Sequence, residues 1–383
     1  MRLANTIGNL KNPESKHPSK TNRLAFIDAL RGLASIAIIL FHLVGIPKPA
    51  LEVPPFLNII KTHFGLGVTL FFIVSAYTLC LSADNRQFED RKLLKFYIRR
   101  FFRIAPLFYT MLCFCILVRS VFWSKSTGWL ETLANATFTF NLFPEFHTSI
   151  VWAGWSIGIE VIFYVLFPLI YSVFNNLIRL LILLAISLAI AILTMHFISQ
   201  LKTVPSTYDY MIFLAQMPVF ICGMIAYWIQ KKVTHIAKKN TKNKSLISAV
   251  LLILFVALSL SLISPHYFWR WLPNPKAALY LWAINFGILL NLLFLNGYRL
   301  IVNPITCFYG KISYSAYLLH PFLIYASIPV YQKIYTLEGL PQVIRLSLCL
   351  LVTLAILTPL SMLSFRFIEK PGLRLGKQLI AKC

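Results

Sequence analysis

Long apolar runs recur along the whole chain, and they restrict its fold more than any other feature. Ten of them are about 18 residues or longer, the length that a helix needs to cross the hydrocarbon core of a bilayer. The composition agrees, since 58% of the 383 residues are hydrophobic, 13% are charged and the mean hydropathy is +0.73. We therefore predict an all-α fold, a polytopic membrane bundle of about ten transmembrane helices. The predicted helices span residues 24–46, 64–82, 102–122, 153–173, 178–198, 212–230, 246–264, 276–296, 312–332 and 342–364.

Lys and Arg are unevenly divided between the two sides of this bundle. With the N-terminus inside the cell, 26 of the 36 Lys and Arg residues fall in cytoplasmic segments and 9 on the opposite side. Cytoplasmic loops carry such an excess, so both termini are predicted to be cytoplasmic. The chain then divides into a tail at 1–23, a transmembrane domain at 24–364 and a C-terminal tail at 365–383. These loops account for the net charge of +24, and no nucleic-acid partner is predicted.

The first predicted helix carries Asp28, Arg31 and His42, which are costly in a membrane and usually face a cavity or a partner. At about 100° per residue, the eleven residues from Arg31 to His42 bring the helix back to within about 20° of the same face. The two side chains are then separated by roughly 16 Å along the axis. Asp28 can pair with Arg31 one turn later. This pattern predicts one wall of a polar cavity; the alternative is a histidine and an ion pair that only fix helix packing.

Three further charged residues lie at or within predicted helices. Arg100 and Arg103 are one turn apart at the inner boundary, where guanidinium groups suit phosphate oxygens. Anchoring of basic residues at the cytoplasmic face explains them equally well. Glu160 lies about a third of the way along an otherwise apolar run, where a carboxylate needs a partner or a proton. If Glu160 meets His42, the pair can act as a general base, with Glu160 orienting the imidazole.

A polar face also runs along the ninth predicted helix. Ser313, Tyr317 and His320 share one side of it. His320 is either a second cavity histidine or the cap of a turn disrupted by Pro321. The seven cysteines show no CxxC spacing and the eight histidines form no HxxxH or HExxH motif, so no metal site is predicted.

Two predicted outer loops, at 123–152 and 265–275, are rich in aromatic residues. Such residues are typical of the belt that membrane proteins place at the bilayer interface. A platform on which sugars stack is the alternative interpretation.

Taken together, these segments resemble the acyltransferase 3 family of integral-membrane acyltransferases, which O-acylate surface polysaccharides and other envelope or small-molecule acceptors. Six motifs spread over residues 27–371 carry the resemblance, and together they are far more specific than any one of them. In two places the chain departs mildly from the family pattern, with Ser75-Ala76-Tyr77 for Ser-Gly-aromatic and Trp155-Ser156-Ile157 for Trp-Ser-Leu. The matching segments are Ile27–Ala34 with His42 (the family's Arg-x10-His signature), Gly67–Tyr77, Arg99–Pro106, Trp155–Tyr164, Gly310–His320 and Glu369-Lys370-Pro371.

The resemblance implies an acyl-CoA donor, usually acetyl-CoA, that acts as a substrate and not as a permanently bound cofactor. It implies transfer to a hydroxyl of a cell-surface polysaccharide or its lipid-linked precursor, in a bacterial inner membrane. His42 would act as general base or, alternatively, as a transient acyl carrier. By the same resemblance, the reaction would be supported by Arg31, Asp28 and Glu160. The CoA phosphates would be bound by Arg100 and Arg103, and the substrate by Tyr317 and His320.

A transporter or flippase for an anionic envelope precursor is the alternative from another functional class. It would use the same intramembrane charges as binding sites. The sequence shows no inverted repeat and no matching pair of Gly- or Pro-broken helices, which disfavours this class.

Overall fold

The computed structural model describes residues 22–124, 126–239, 241–264, 275–337 and 339–383, and all regular structure within them is helical. The predicted all-α fold is therefore confirmed. Most of the predicted N-terminal tail and residues 265–274 of the aromatic loop lie outside the described residues. The α-helices are α1 (Asn22–Gly45), α2 (Ile59–His63), α3 (Gly67–Asp84), α4 (Lys92–Trp123), α5 (Trp129–Ala136), α6 (Trp155–Val173), α7 (Leu177–Gln200), α8 (Phe213–Lys239), α9 (Thr241–Ile263), α10 (Ala278–Leu295), α11 (Pro304–Lys311), α12 (Ser313–Ala326), α13 (Ile328–Tyr335), α14 (Gln342–Ser364) and α15 (Lys370–Lys382).

Nine segments of the described chain are long and apolar enough to cross a membrane, against the ten that the sequence predicts. They contain α1, α3, α4, α6 to α10, and α14 continued by α15. The missing one is the predicted helix at 312–332, which breaks at Ser327 into α12 and α13. A proline in the first turn of α13 explains the break, because its ring removes a backbone donor and clashes with the preceding turn.

The short helices α11, α12 and α13 nevertheless run beside α1 over its length and in the same direction. Near the start of α1, the Cys307 thiol donates to the carbonyl of Ala25 at 3.3 Å. Near its end, Tyr331 shares a buried cluster with Leu43 and Val44. Three consecutive short helices thus cover the depth that one helix was expected to cover.

Glycines allow α1 and α11 to touch through their backbones. A Cβ atom at Gly32 would lie 2.0 Å from the carbonyl oxygen of Thr306, and one at Gly310 would lie 1.9 Å from that of Asp28. A residue with a Cβ atom does not fit at such distances. Close helix pairs commonly use small residues for this reason. This contact sets the register of α11 and α12 against α1.

Helix α3 lies in the centre of the bundle and is buried along most of its length. It runs antiparallel to α1, since Tyr77 packs against Phe26 while Gly67 meets the carbonyl of Ala34. A stack of three buried rings, Phe72, Phe220 and Phe163, joins α3 to α8 and α6, with centroids 4.5 and 4.1 Å apart. The position of α3 lets it contribute to any site inside the bundle.

The outer helices α7 and α9 present apolar side chains to the surroundings. Ile178 on α7 is 73% exposed and Leu260 on α9 is 64% exposed. Outward-facing aliphatic side chains on long helices fit a lipid environment.

The segment at 365–383, predicted as a tail, is helical. A π-helical turn at Phe365–Glu369 continues α14 into α15, which packs against α4 through Gly372 and Gly376.

Candidate active site

A cavity of about 80 Å³ lies inside the bundle, between α1, α3, α4, α6 and α12. Polar and aromatic side chains alternate around it. Five of the eight predicted site residues line this cavity: Arg31, Arg100, Arg103, Glu160 and Tyr317. The topology therefore brings side chains from four separate sequence motifs to one place.

The three arginines give this cavity an excess of positive charge. Arg103 donates to the Glu369 carboxylate at 3.1 Å, whereas neither Arg31 nor Arg100 forms an ion pair within the described chain. The Arg100 guanidinium lies over the ring of Tyr164, 5.4 Å from its centroid, and its Nε atom is buried without a partner. Guanidinium groups without a carboxylate partner in an enclosed site are suited to bind phosphate or carboxylate oxygens of a ligand.

Glu160 is held between α3 and α6. Its Oε1 atom accepts hydrogen bonds from the Ser75 hydroxyl at 2.5 Å and from the Tyr164 hydroxyl at 2.6 Å. Ser75 and Tyr164 both line the cavity and lie in motifs of the sequence, but neither was predicted as a site residue. They supply the partner that a carboxylate at this depth requires.

A pair of histidines joins α1 to α12. The Nδ1 atom of His42 lies 2.8 Å from Nε2 of His320, although 278 residues separate them. His42 therefore has a histidine as its partner, and not Glu160 as we hypothesised. Glu160 instead bonds to Ser75 and Tyr164.

The backbone determines which nitrogens of the pair carry protons. His320 is fully buried and its Nδ1 lies 3.1 Å from the carbonyl oxygen of Ala316, which can only accept. A charged imidazolium buried without an anion is costly, so His320 is assigned as neutral with its proton on Nδ1. His42 must then donate through Nδ1, and in the neutral form of His42 this leaves Nε2 as an unprotonated base.

Tyr317 lies between the cavity and the histidine pair. Its hydroxyl lies 2.7 Å from that of Ser156, and its ring centroid is 5.7 Å from that of His320. Phe71 also lines the cavity and packs edge-on against Tyr317. Tyr317 therefore separates His320 from the cavity, and His42 lies behind His320.

Asp28 does not form the expected ion pair with Arg31. No salt bridge joins the two within the described residues, and Arg31 lines the cavity instead. The carbonyl of Asp28 packs against Gly310, so this residue contributes to the contact between α1 and α11. A spacing of three residues allows an ion pair on a helix but does not require one. Here the Arg31 side chain faces the cavity instead.

Glu369 is a site residue that sequence reasoning missed. It is buried, with 1% of its side chain exposed, and it bonds both to Arg103 and to the Ser315 hydroxyl, at 2.5 Å. The sequence placed it only in the Glu369-Lys370-Pro371 motif, without a role in the site. The available signal was its place in a motif that matches the family, directly after the last predicted helix.

The family model of the acyltransferase 3 domain, described as an acyltransferase domain, matches residues 24–362. This chain belongs to that family. The resemblance found in the sequence is thereby confirmed, and the chain is an acyltransferase and a multi-pass integral membrane protein. The transporter alternative finds no support in this assignment.

One relative of this acyltransferase is a peptidoglycan O-acetyltransferase, OatA, of Listeria monocytogenes serovar 1/2a. The two are 29% identical over 157 residues, which make up 37% of this chain and 23% of the relative. The chain thus matches less than a quarter of that protein's length. No solved structure matches the acyltransferase. Within the part of the chain that the structure describes, no group of His, Cys, Asp and Glu side chains suits a metal ion.

Proposed function

We propose that this membrane acyltransferase transfers an acyl group, acetyl in the simplest case, from acyl-CoA to a hydroxyl of a cell-surface polysaccharide or its lipid-linked precursor. The proposal rests on a cavity with two unpaired guanidinium groups and on Tyr317 in its wall, whose ring contacts His320, the hydrogen-bond partner of His42. The similarity to a peptidoglycan O-acetyltransferase adds peptidoglycan to the candidate acceptors. A bacterial inner membrane would contain the enzyme.

The donor end of the proposed site is the arginine cluster. Arg31 and Arg100 would contact phosphate oxygens of acyl-CoA, and Arg103, held by Glu369, would add a third positive charge. From Arg31 to His42 the first helix advances by roughly 16 Å. A pantetheine arm is of comparable length, so phosphates near the arginines would place the thioester near His42.

The reaction at the other end would be general base catalysis. His42 Nε2 takes the proton of the acceptor hydroxyl as its oxygen attacks the thioester carbonyl carbon. The new C–O bond forms, the C–S bond breaks, and the CoA thiolate takes the proton back from His42. His320 accepts the hydrogen bond from His42 Nδ1 and so keeps the imidazole in the required tautomer, a role that oriented partners of catalytic histidines perform in other enzymes.

Glu160 would act on the shape and charge of the cavity. It accepts bonds from Ser75 on α3 and Tyr164 on α6, so it holds two walls together. A carboxylate at this position also offsets part of the repulsion among the arginines around the cavity. Tyr317 would position the donor and acceptor between the cavity and the histidine pair, and His320 would act on the reaction through His42.

Membranes that contain the protein test this proposal directly. They should consume radiolabelled acetyl-CoA and transfer label to envelope polysaccharide or to lipid-linked sugar, whereas membranes from a deletion strain should not. Mass spectrometry of envelope glycans from the two strains would then identify the acceptor by the loss of acetyl groups. If acetyl-CoA is not consumed and no glycan differs, the proposed donor and acceptor are wrong.

A further inference from the structure

A second recess lies on the surface of the bundle, separate from the arginine cavity. It is a groove of about 680 Å³ between the end of α3, the beginning of α4 and the end of α6. No residue lines both the groove and the arginine cavity. Neither the family assignment nor the proposed reaction uses it.

One wall of the groove is apolar and belongs to segments that can span a membrane. Leu93 on α4 is 52% exposed, and Val165 and Leu169 on α6 are 57% and 64% exposed. Aliphatic side chains that face outward from membrane-spanning helices meet acyl chains.

The opposite end of the groove is basic. Arg99 is neutralised by Glu89, which accepts from both of its terminal nitrogens at 3.0 and 2.8 Å. Arg86 and Lys92 also line the groove, and neither forms an ion pair within the described residues. Within the part of the chain that the structure describes, the Arg86 guanidinium donates to the neutral hydroxyl of Ser82. Two positive charges are therefore available to a ligand at this end.

The chain between α3 and α4 is placed where a membrane surface would lie. It connects two candidate spans, the first ending at Asp84 and the second beginning at Lys92. Within it, Phe88 is 90% exposed, as is typical of aromatic residues that enter the interfacial layer. Basic residues in such a position attract anionic headgroups.

We propose that this groove binds one anionic phospholipid. The headgroup phosphate would contact Arg86 and Lys92, and an acyl chain would lie along Leu93, Val165 and Leu169. A soluble anion would leave the apolar wall uncovered, and a zwitterionic lipid would bring no net negative charge to the two basic residues. The inference rests on the groove alone and does not depend on the proposed acyl transfer.

Native mass spectrometry of the full-length protein in detergent tests this site. The protein is titrated with phosphatidylglycerol or with phosphatidylcholine of the same chain composition. We expect one phosphatidylglycerol to bind more tightly than phosphatidylcholine. The double variant R86Q/K92Q should bind phosphatidylglycerol about 30-fold more weakly, because each basic residue near an anionic headgroup contributes about fivefold in affinity.

A matched control variant, K377Q/K382Q, removes two exposed basic residues from α15 and should bind like the wild type. Val165→Trp narrows the groove at its apolar wall without changing the charge of the protein. It should therefore also weaken phosphatidylglycerol binding. Thermal unfolding close to that of the wild type shows that each variant is folded.

Four results would overturn the proposal. In the first, R86Q/K92Q binds phosphatidylglycerol as tightly as K377Q/K382Q does. In the second, Val165→Trp has no effect on binding of the lipid. In the third, inorganic phosphate competes as well as the lipid, which would indicate a soluble anion. In the fourth, free CoA displaces the lipid, which would assign the groove to the donor substrate.

Discussion

Replacing Gly310 with alanine tests whether the backbone contact between α1 and α11 sets the geometry of the histidine pair. The added Cβ would lie 1.9 Å from the carbonyl oxygen of Asp28, whereas ordinary contacts begin at 3.4 Å. The helices must therefore separate locally by about 1.5 Å. A displacement of that size, carried along to His320, would lengthen the 2.8 Å bond to His42 beyond hydrogen-bonding range.

The expected consequences are a loss of stability and a larger loss of activity. Overpacking of this kind typically costs about 1–3 kcal/mol, and a misplacement of about 1 Å in an active site can cost on the order of 100-fold in rate. Thermal unfolding in detergent and acetyl transfer from radiolabelled acetyl-CoA would measure the two effects.

Gly287→Ala is the matched control for this experiment. It also places a methyl group on a helical glycine of the bundle, but the nearest atom to that Cβ is 3.6 Å away. We expect its activity and unfolding temperature to stay near those of the wild type. If Gly310→Ala behaves like Gly287→Ala, the register of α1 and α11 does not control the histidine pair.

Three further substitutions follow from the site. His320→Ala should lower the turnover number by about 100-fold with little change in KM for acetyl-CoA, since it removes only the group that orients His42. An unchanged turnover number would refute that role. Arg100→Gln should raise KM for acetyl-CoA by about 10-fold or more with a smaller effect on turnover, because a charged hydrogen bond to phosphate is lost. An unchanged KM would show that Arg100 does not bind the donor. Glu369→Ala should destabilise the protein by about 1–3 kcal/mol, since it leaves the partly exposed Arg103 without its partner. A stability equal to that of the wild type would contradict it.

Local features of the site could be predicted from the sequence because they depend on helix periodicity. The same-face relation of Arg31 and His42 follows from 3.6 residues per turn. The interrupted helix at 312–332 was within reach as well, since Pro329 follows Ile328 at the position where the helix breaks.

The partners of these residues could not be predicted, because they come from distant parts of the chain. The bond between His42 and His320 depends on the close approach of α1 and α11, which no local pattern encodes. The partners of Glu160 are Tyr164, one turn along its own helix, and Ser75 on α3. The sequence alone gives no reason to prefer them to His42. The pairing of Arg103 with Glu369 likewise spans 266 residues.

A single-turnover measurement on His42→Ala shows whether His42 acts as the base in acyl transfer. Purified wild type and variant in lipid nanodiscs are mixed with radiolabelled acetyl-CoA and acceptor, and acetyl-CoA binding is measured separately. We expect the variant to bind acetyl-CoA nearly as well as the wild type but to transfer its acetyl group about 100- to 10,000-fold more slowly. Transfer by His42→Ala at the wild-type rate would show that His42 is not the base.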